Sequence, residues 1–462
     1  MNNIYVKDIL DKCDGKLICG SEDIILENFS KDTRTININD VYVGIKGENF
    51  EGSTLYKDAL SKGASGCILN EIELDYEFLN EYSDAFIVVV PDTIKCLQEL
   101  ASYKRSLYNI PVIGVTGSVG KTSTKDIIAS VLSKKYNVLK TEGNYNNHIG
   151  VPLTILKLKN HDCLVVEMGM NHLGEISVLS NITKPTISVI TNVGTAHIGN
   201  LKSRENILKA KLEILDGMEN PKLIINNDND MLHNYYLENK NNNIITFGCA
   251  NESDYTGINI DLKDSYSNYD VNLNDKNYSF KINIPGEHFV LNGLCALSVA
   301  SVLGINISDI KDGIEEFELT QRRMQIEKIN NITIINDCYN ANLDSMKSAI
   351  TYLGSLNGLR KIAVLGDMLE LGEFEEELHR QVGKELYLNK IDKVFLVGNA
   401  SKYIQDELLN LGFDKENIYF YENNEQLINN LISVLTMNDA VLIKASNGMN
   451  FIEIFNKLKE QL

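Results

Sequence analysis

The chain has 462 residues, 44% of them hydrophobic and 23% charged, with a net charge of −19. That length accommodates about three domains, and no apolar run approaches the ~18 residues of a membrane span. The acidic balance argues against nucleic acid as a partner, because phosphate neutralisation needs a basic footprint. The eight cysteines are scattered with no C-x-x-C pair; they read as reduced core thiols, and none stands apart as a nucleophile. Residues Met1 to Asp8 lack the basic head and apolar stretch of a secretion signal, so a cytoplasmic location is expected.

Residues 1–108 form a first block, in which short apolar runs (Val41 to Ile45, Cys67 to Leu69, Phe86 to Val90) alternate with helix-like stretches. Two polar loops stand out, Ser30 to Arg34 and Lys46 to Gly52. Both read first as turn chemistry. The alternative is that Arg34, beside hydroxyls, holds a diphosphate.

Tyr108-Asn109-Ile110-Pro111 marks a boundary, since a Pro opens the next strand. The second block, 109–318, begins with the β-branched run Val112 to Val115, a buried strand. It breaks into Gly117-Ser118-Val119-Gly120, followed by Lys121-Thr122-Ser123 and an apolar-faced helix over Asp126 to Leu132. The common phosphate-loop spacing puts a glycine six residues before the Lys, where this chain has Val115. The local form is T-G-x-x-G-K-[ST], and its physics is the same. Backbone N–H groups and a helix N-terminus cradle phosphates, Lys121 meets the outer phosphates, and Thr122 offers its hydroxyl to Mg²⁺.

Further buried strands are expected at Cys163 to Glu167, Thr186 to Ile190, Leu223 to Asn226 and Ile244 to Phe247, with an antiparallel patch in 251–285 and a helix from Leu291 to Leu303. The third block, 319–462, opens near Gln321-Arg322-Arg323-Met324. Its strands are expected at Ile332 to Asn336, Ile362 to Leu365, Lys393 to Val397 and Ala440 to Lys444. The fold class is therefore α/β in three domains. A smaller N-terminal α/β domain precedes a central phosphate-loop domain with a mostly parallel sheet, and a Rossmann-like α/β domain follows.

In such sheets, ligands sit at the carboxyl ends of the strands. Glu167 ends one strand and can share a Mg²⁺ with Thr122. His197 lies in the polar loop after another strand, where metal ligation and a structural role weigh equally. Asn144, Asn146 and Asn147 crowd one loop, suited to a polar ligand. Lys209-Ala210-Lys211-Leu212-Glu213 reads as a solvated charged helix face. Asp337 is placed to hold a ribose hydroxyl, in a domain expected to close over the nucleotide.

Taken together, these segments resemble the Mur ligase family of ATP-dependent amide-bond ligases. The resemblance rests on G-N-x-N-N-x-I-G-x-P at 143–152, E-M-G-M-N-x-x-G-E-I at 167–176, T-N-V-G-x-A-H at 191–197, D-x-Y-N-A-N at 337–342 and L-G-D-M-L-E-L-G at 365–372. It implies an enzyme using ATP and Mg²⁺ in peptidoglycan precursor synthesis. The implied substrates are a UDP-N-acetylmuramoyl-tripeptide and D-alanyl-D-alanine, and a monomer is implied. It also implies that Thr33, Arg34 and Gly47 contact the UDP end of the substrate. Glu167 and His197 match magnesium-site positions, and Lys211 matches a lysine carried as a carbamate. Asn292, Arg323 and Asp337 match nucleotide-contacting positions. The chain departs from the family at Glu51-Gly52-Ser53 (usually D-G-H), Asn342-Leu343 (usually N-P) and Lys444-Ala445-Ser446-Asn447 (often K-G-S-R). Two rivals remain open: a family member adding one amino acid to a shorter UDP-muramoyl peptide or glutamate to folate, and a non-catalytic nucleotide-binding regulator.

Overall fold

A computed structural model describes residues 2–240, 243–319 and 322–462; Gln321 of the expected third-block opening lies outside them. Three sheets carry the architecture, each built where β-branched runs alternate with amphipathic helices. In the first, the short strands Phe29–Ser30, Val41–Val43, Gly66–Leu69 and Phe86–Val89 run parallel, and Lys16–Cys19 closes one edge antiparallel. The helix Thr93–Ser106 that follows packs on the helices Gly150–Leu156 and Glu175–Thr183 of the next sheet's layer. Arg105 reinforces that contact, its Nε donating to the Thr183 carbonyl at 2.9 Å.

The second sheet has nine strands. Val112–Thr116 lies between Cys163–Glu167 and Ile187–Ile190, all parallel, with Val138–Lys140 outermost on one side. Leu223–Asn226 and Ile244–Gly248 extend the other side. The antiparallel meander Tyr255–Leu262, Ser267–Leu273 and Lys276–Ile282 completes it, as the polar alternation there anticipates. All five residues of Val112–Thr116 are buried, as expected of a strand covered on both faces. The chain leaves Val112–Thr116 toward one side and later returns on the other, so a crevice opens at the carboxyl ends of the central strands.

The third sheet has six strands. Gln325–Ile329 pairs antiparallel with Ile332–Asn336, and Asp439–Lys444, Arg360–Gly366, Lys393–Val397 and Ile418–Tyr421 continue in parallel. Its helices Leu343–Ser355 and Glu375–Leu388 are amphipathic, burying Met346, Ile350 and Leu353 in one and Leu378, Val382 and Leu386 in the other.

Candidate active site

The phosphate loop follows from one packing constraint. A Cβ on Gly117 would stand 1.9 Å from Thr191 Oγ1, so only glycine lets this turn lie against the neighbouring strand end. Gly120, at φ +79°, then takes the left-handed conformation that starts the helix Lys121–Leu132. The strand-end loop after Ile187–Ile190 braces the turn from the side. Asn192 Oδ1 accepts from the Ser118 and Val119 amides at 3.0 and 2.9 Å, and its Nδ2 donates to the Val119 carbonyl at 3.0 Å. Thr191 Oγ1 donates to the same carbonyl at 2.6 Å. The first turn of the helix is thereby aimed into the crevice, an anion site by its orphan N–H groups and its dipole.

Glu167 ends the adjacent strand with its side chain buried. Thr122 Oγ1 donates to its Oε2 and Asn146 Nδ2 to its Oε1, both at 2.8 Å. Two hard oxygen donors, Thr122 and Glu167, thus sit side by side at the foot of the phosphate loop. Asn147 Oδ1 accepts from the Ile149 and Gly150 amides at the start of the helix Gly150–Leu156. Asn144 faces the cleft exposed.

The cleft encloses about 560 Å³. Its walls include Ser118 to Ser123, Glu167 and Asn292 from the central sheet's side, and Arg323, Asp337 and Tyr339 from the third sheet's side. Gly117 lies behind the loop rather than on the wall. Asn292 Oδ1 accepts from Thr124 Oγ1 at 2.9 Å, which ties the helix Glu287–Val302 to the phosphate-loop helix. Arg323 lies over the Tyr339 ring, 4.0 Å from its centroid, and its buried Nε has no hydrogen-bond partner among the described residues. Burial pushes the Lys121 ammonium down from its ordinary range; the Glu167 carboxylate opposes this and the Arg323 guanidinium adds to it. Neither Lys121 nor Arg323 has a carboxylate within ion-pair distance among the described residues. Two unpaired cations from two domains therefore face one cavity, which an anionic ligand would relieve.

The reading of 209–213 as a solvated face fails for Lys211, which is 1% exposed. The helix Arg204–Leu212 turns Ile207, Ala210 and Lys211 inward, and Lys209 outward. Charge content alone hid this, because Ile207 and Lys211 share a face at i, i+4. Burial pushes the Lys211 amine far down, and the nearby Lys121 charge adds to the shift. Lys211 makes no hydrogen bond or ion pair among the described residues. His197, in the left-handed conformation at φ 62°, lines the cleft, and its Nδ1 lies 2.8 Å from Glu370 Oε2 of the third domain. Among the described residues no three His, Cys, Asp or Glu side chains converge as a ready metal cluster.

The remaining expected residues lie elsewhere. Thr33 is buried at the start of a short 3₁₀ turn. Arg34 is exposed, its guanidinium held by the Asp32 carboxylate at 2.7 Å. Gly47 donates to the Phe50 carbonyl at 2.8 Å within an exposed loop closed by the Lys46–Glu51 bridge. None of the three borders the central cleft. Ser53, standing where the family usually has His, is fully buried and donates to the Gly44 carbonyl at 3.0 Å.

Several cleft residues carry no functional assignment from the sequence. Lys444 is buried, and its Nζ meets Asp337 Oδ2 at 2.5 Å and the Asn340 carbonyl at 3.0 Å. His288 lines the cleft, and burial pulls its imidazole down to about 4. Asp344, near the start of the helix Leu343–Ser355, accepts from the Thr195 amide at 3.0 Å. Only Lys444 stood inside a motif; nothing local marks the other two.

Comparison with known proteins bears on what this cleft is. Residues 115–300 match the Mur ligase middle domain, and 322–447 match the Mur ligase, glutamate ligase domain. The chain belongs to the Mur ligase family. This Mur ligase is 35% identical over 461 residues to UDP-N-acetylmuramoyl-tripeptide--D-alanyl-D-alanine ligase of Bacillus subtilis, covering 98% of each chain. A crystal structure of MurF from Acinetobacter baumannii matches with a TM-score of 0.89 at 27% identity, over 99% of both chains. MurF ligase from Thermotoga maritima, solved in complex with ADP, matches with a TM-score of 0.80 at 27% identity, over 94% of this Mur ligase and 97% of that chain.

Proposed function

We propose that this Mur ligase joins D-alanyl-D-alanine to the terminal carboxylate of a UDP-N-acetylmuramoyl-tripeptide at the expense of ATP. The observation that carries the reading is the pair of unpaired cations, Lys121 and Arg323, converging from two domains on one cleft. The full-length similarity to a ligase of that name supports it.

The reaction has two steps. A carboxylate oxygen of the tripeptide attacks the γ-phosphorus and ADP leaves, forming an acyl phosphate. The D-alanyl-D-alanine amine then attacks the acyl carbon, the amide bond forms, the amine loses a proton and phosphate departs. The first-turn amides of Lys121–Leu132 hold the phosphates. Lys121 and Arg323 offset the negative charge that builds on the transferring group. Closure of the third domain over the cleft excludes water that would hydrolyse the acyl phosphate. Asn292 and Asp337 border the nucleotide, with Asp337 toward the ribose. Thr33, Arg34 and Gly47 take the UDP end, and Asn144, Asn146 and Asn147 the peptide end.

The donor set at the phosphate loop fits Mg²⁺, which takes one or two carboxylates and leaves its other positions to phosphates and water. Thr122, Glu167 and His197 would hold it with Lys211 as a carbamate, and it would supply charge neutralisation at the phosphates. Burial pushes the Lys211 amine down and so favours its neutral form, the one that reacts with carbon dioxide.

The deciding experiment measures phosphate release from ATP with a UDP-muramoyl tripeptide, carrying lysine or diaminopimelate, and with D-alanyl-D-alanine or free amino acids as acceptor. Release stimulated by D-alanyl-D-alanine alone supports the reading. Stimulation by a single amino acid moves the protein to another branch of the family, and binding without release makes it a regulator.

A further inference from the structure

The loop 191–199 has two working sides. Toward the phosphate loop, Asn192 makes three hydrogen bonds with its side chain, and the Gly194 amide donates to Ser118 Oγ at 2.9 Å. Toward the third domain, the Thr195 amide and Oγ1 donate to Asp344 Oδ2 at 3.0 and 3.3 Å, and the Gly199 amide donates to the Glu370 carbonyl at 3.2 Å. Gly194 sits where the sides meet. A Cβ there would stand 2.0 Å from Asp344 Oδ2, so the carboxylate reaches Thr195 only because residue 194 has no side chain. One short segment therefore touches both the loop that holds phosphates and the domain that closes over them.

We propose that Asp344 is a positioning residue which, through the Gly194-Thr195 turn, couples nucleotide binding on the phosphate loop to docking of the third domain. The proposal rests on the nucleotide reading of the cleft. Asn192 shapes the phosphate loop from one side of the turn, and Asp344 fixes the turn from the other. A ligand that favours one arrangement of the loop thereby favours the docked domain, and docking returns the same factor to ligand affinity. Spatial intermediacy alone does not establish such a route; coupling between substitutions does.

The test is ADP affinity by titration calorimetry in the full-length protein. Wild type that fails to bind ADP overturns the nucleotide reading itself. Given binding, Asp344→Ala should weaken it about tenfold, within the usual range of coupling between sites. Asp344→Asn, which keeps an acceptor oxygen for Thr195, should recover part of the loss. Gly194→Ala should weaken ADP comparably by expelling the carboxylate, and should add nothing in the Asp344→Ala background. Asn192→Ala combined with Asp344→Ala should lose less than the product of the single losses. Unchanged affinity in Asp344→Ala, or losses that simply multiply in both pairs, overturns the coupling.

Discussion

Lys444 Nζ and Asp337 Oδ2 meet at 2.5 Å across two adjacent strand ends of the third sheet, with Lys444 2% and Asp337 14% exposed. The pair neutralises the Asp337 carboxylate on the third domain's wall of the cleft. Lys444→Met leaves the Asp337 carboxylate without its cation in a largely dry site. Breaking such a pair from one side should cost about 3 kcal/mol, read from urea unfolding, and should weaken ADP binding as well. Equal stability of wild type and variant would show that the pair is solvated.

Lys121→Ala removes the cation that the proposed mechanism sets against the phosphates. Among the described residues its Nζ donates only to the Gly117 carbonyl, at 2.9 Å, so the fold should survive. Phosphate release should fall about 10³-fold, the scale of a lost charge-stabilising donor. A rate near wild type would sink the phosphoryl-transfer mechanism.

Gly117→Ala drives a methyl group into Thr191 Oγ1. The strain should cost about 1–3 kcal/mol and displace the loop amides that are proposed to hold the nucleotide. Thermal melting and ADP titration should both register it, and survival of full ADP affinity would mean the turn yields where the packing says it does not.

Lys211 is buried without a partner among the described residues, and burial, with the nearby Lys121 charge, pushes its amine well below the ordinary lysine range. With labelled bicarbonate, carbon-13 NMR should show a carbamate resonance that Lys211→Ala lacks. The variant should lose most activity and regain part of it with a short carboxylic acid. Absence of both the resonance and the rescue removes the carbamate.

His288 titrates at about 4 in the folded protein, against an ordinary 6.5, chiefly because it is buried. Within that window the unfolded chain binds a proton that the native chain refuses. The contribution is fully retained above pH 6.5 and is lost as pH falls toward 4, on the order of 2 kcal/mol after allowance for partial exposure. His288→Phe should flatten this part of the stability profile, measured by urea unfolding from pH 7 to pH 4.5. An unchanged slope assigns the loss to other groups.

Local pattern determined most of the architecture. Val112–Thr116, Cys163–Glu167 and Lys393–Val397 were legible because buried parallel strands are apolar on both faces. The meander at 255–282 was legible because a half-exposed sheet alternates. The phosphate loop was legible because its glycines, lysine and threonine act within a single turn. Family motifs then gathered residues that no periodicity joins.

Tertiary structure alone decided the partners. Thr195 and Asp344 are 149 residues apart, His197 and Glu370 173, and Lys444 and Asp337 107. Each side chain looks like an ordinary polar loop or strand-end residue until another strand or another domain docks against it. Lys211 shows the same limit within one helix: its charge argued for water, and only the packing of Arg204–Leu212 placed it inside. Sequence sets what each segment prefers alone, through backbone and burial preferences that act over a few residues. Which charges end up paired, buried or facing the cleft depends on how segments far apart in the chain come together, and that arrangement sets a glycine-rich loop of one sheet opposite residues of another.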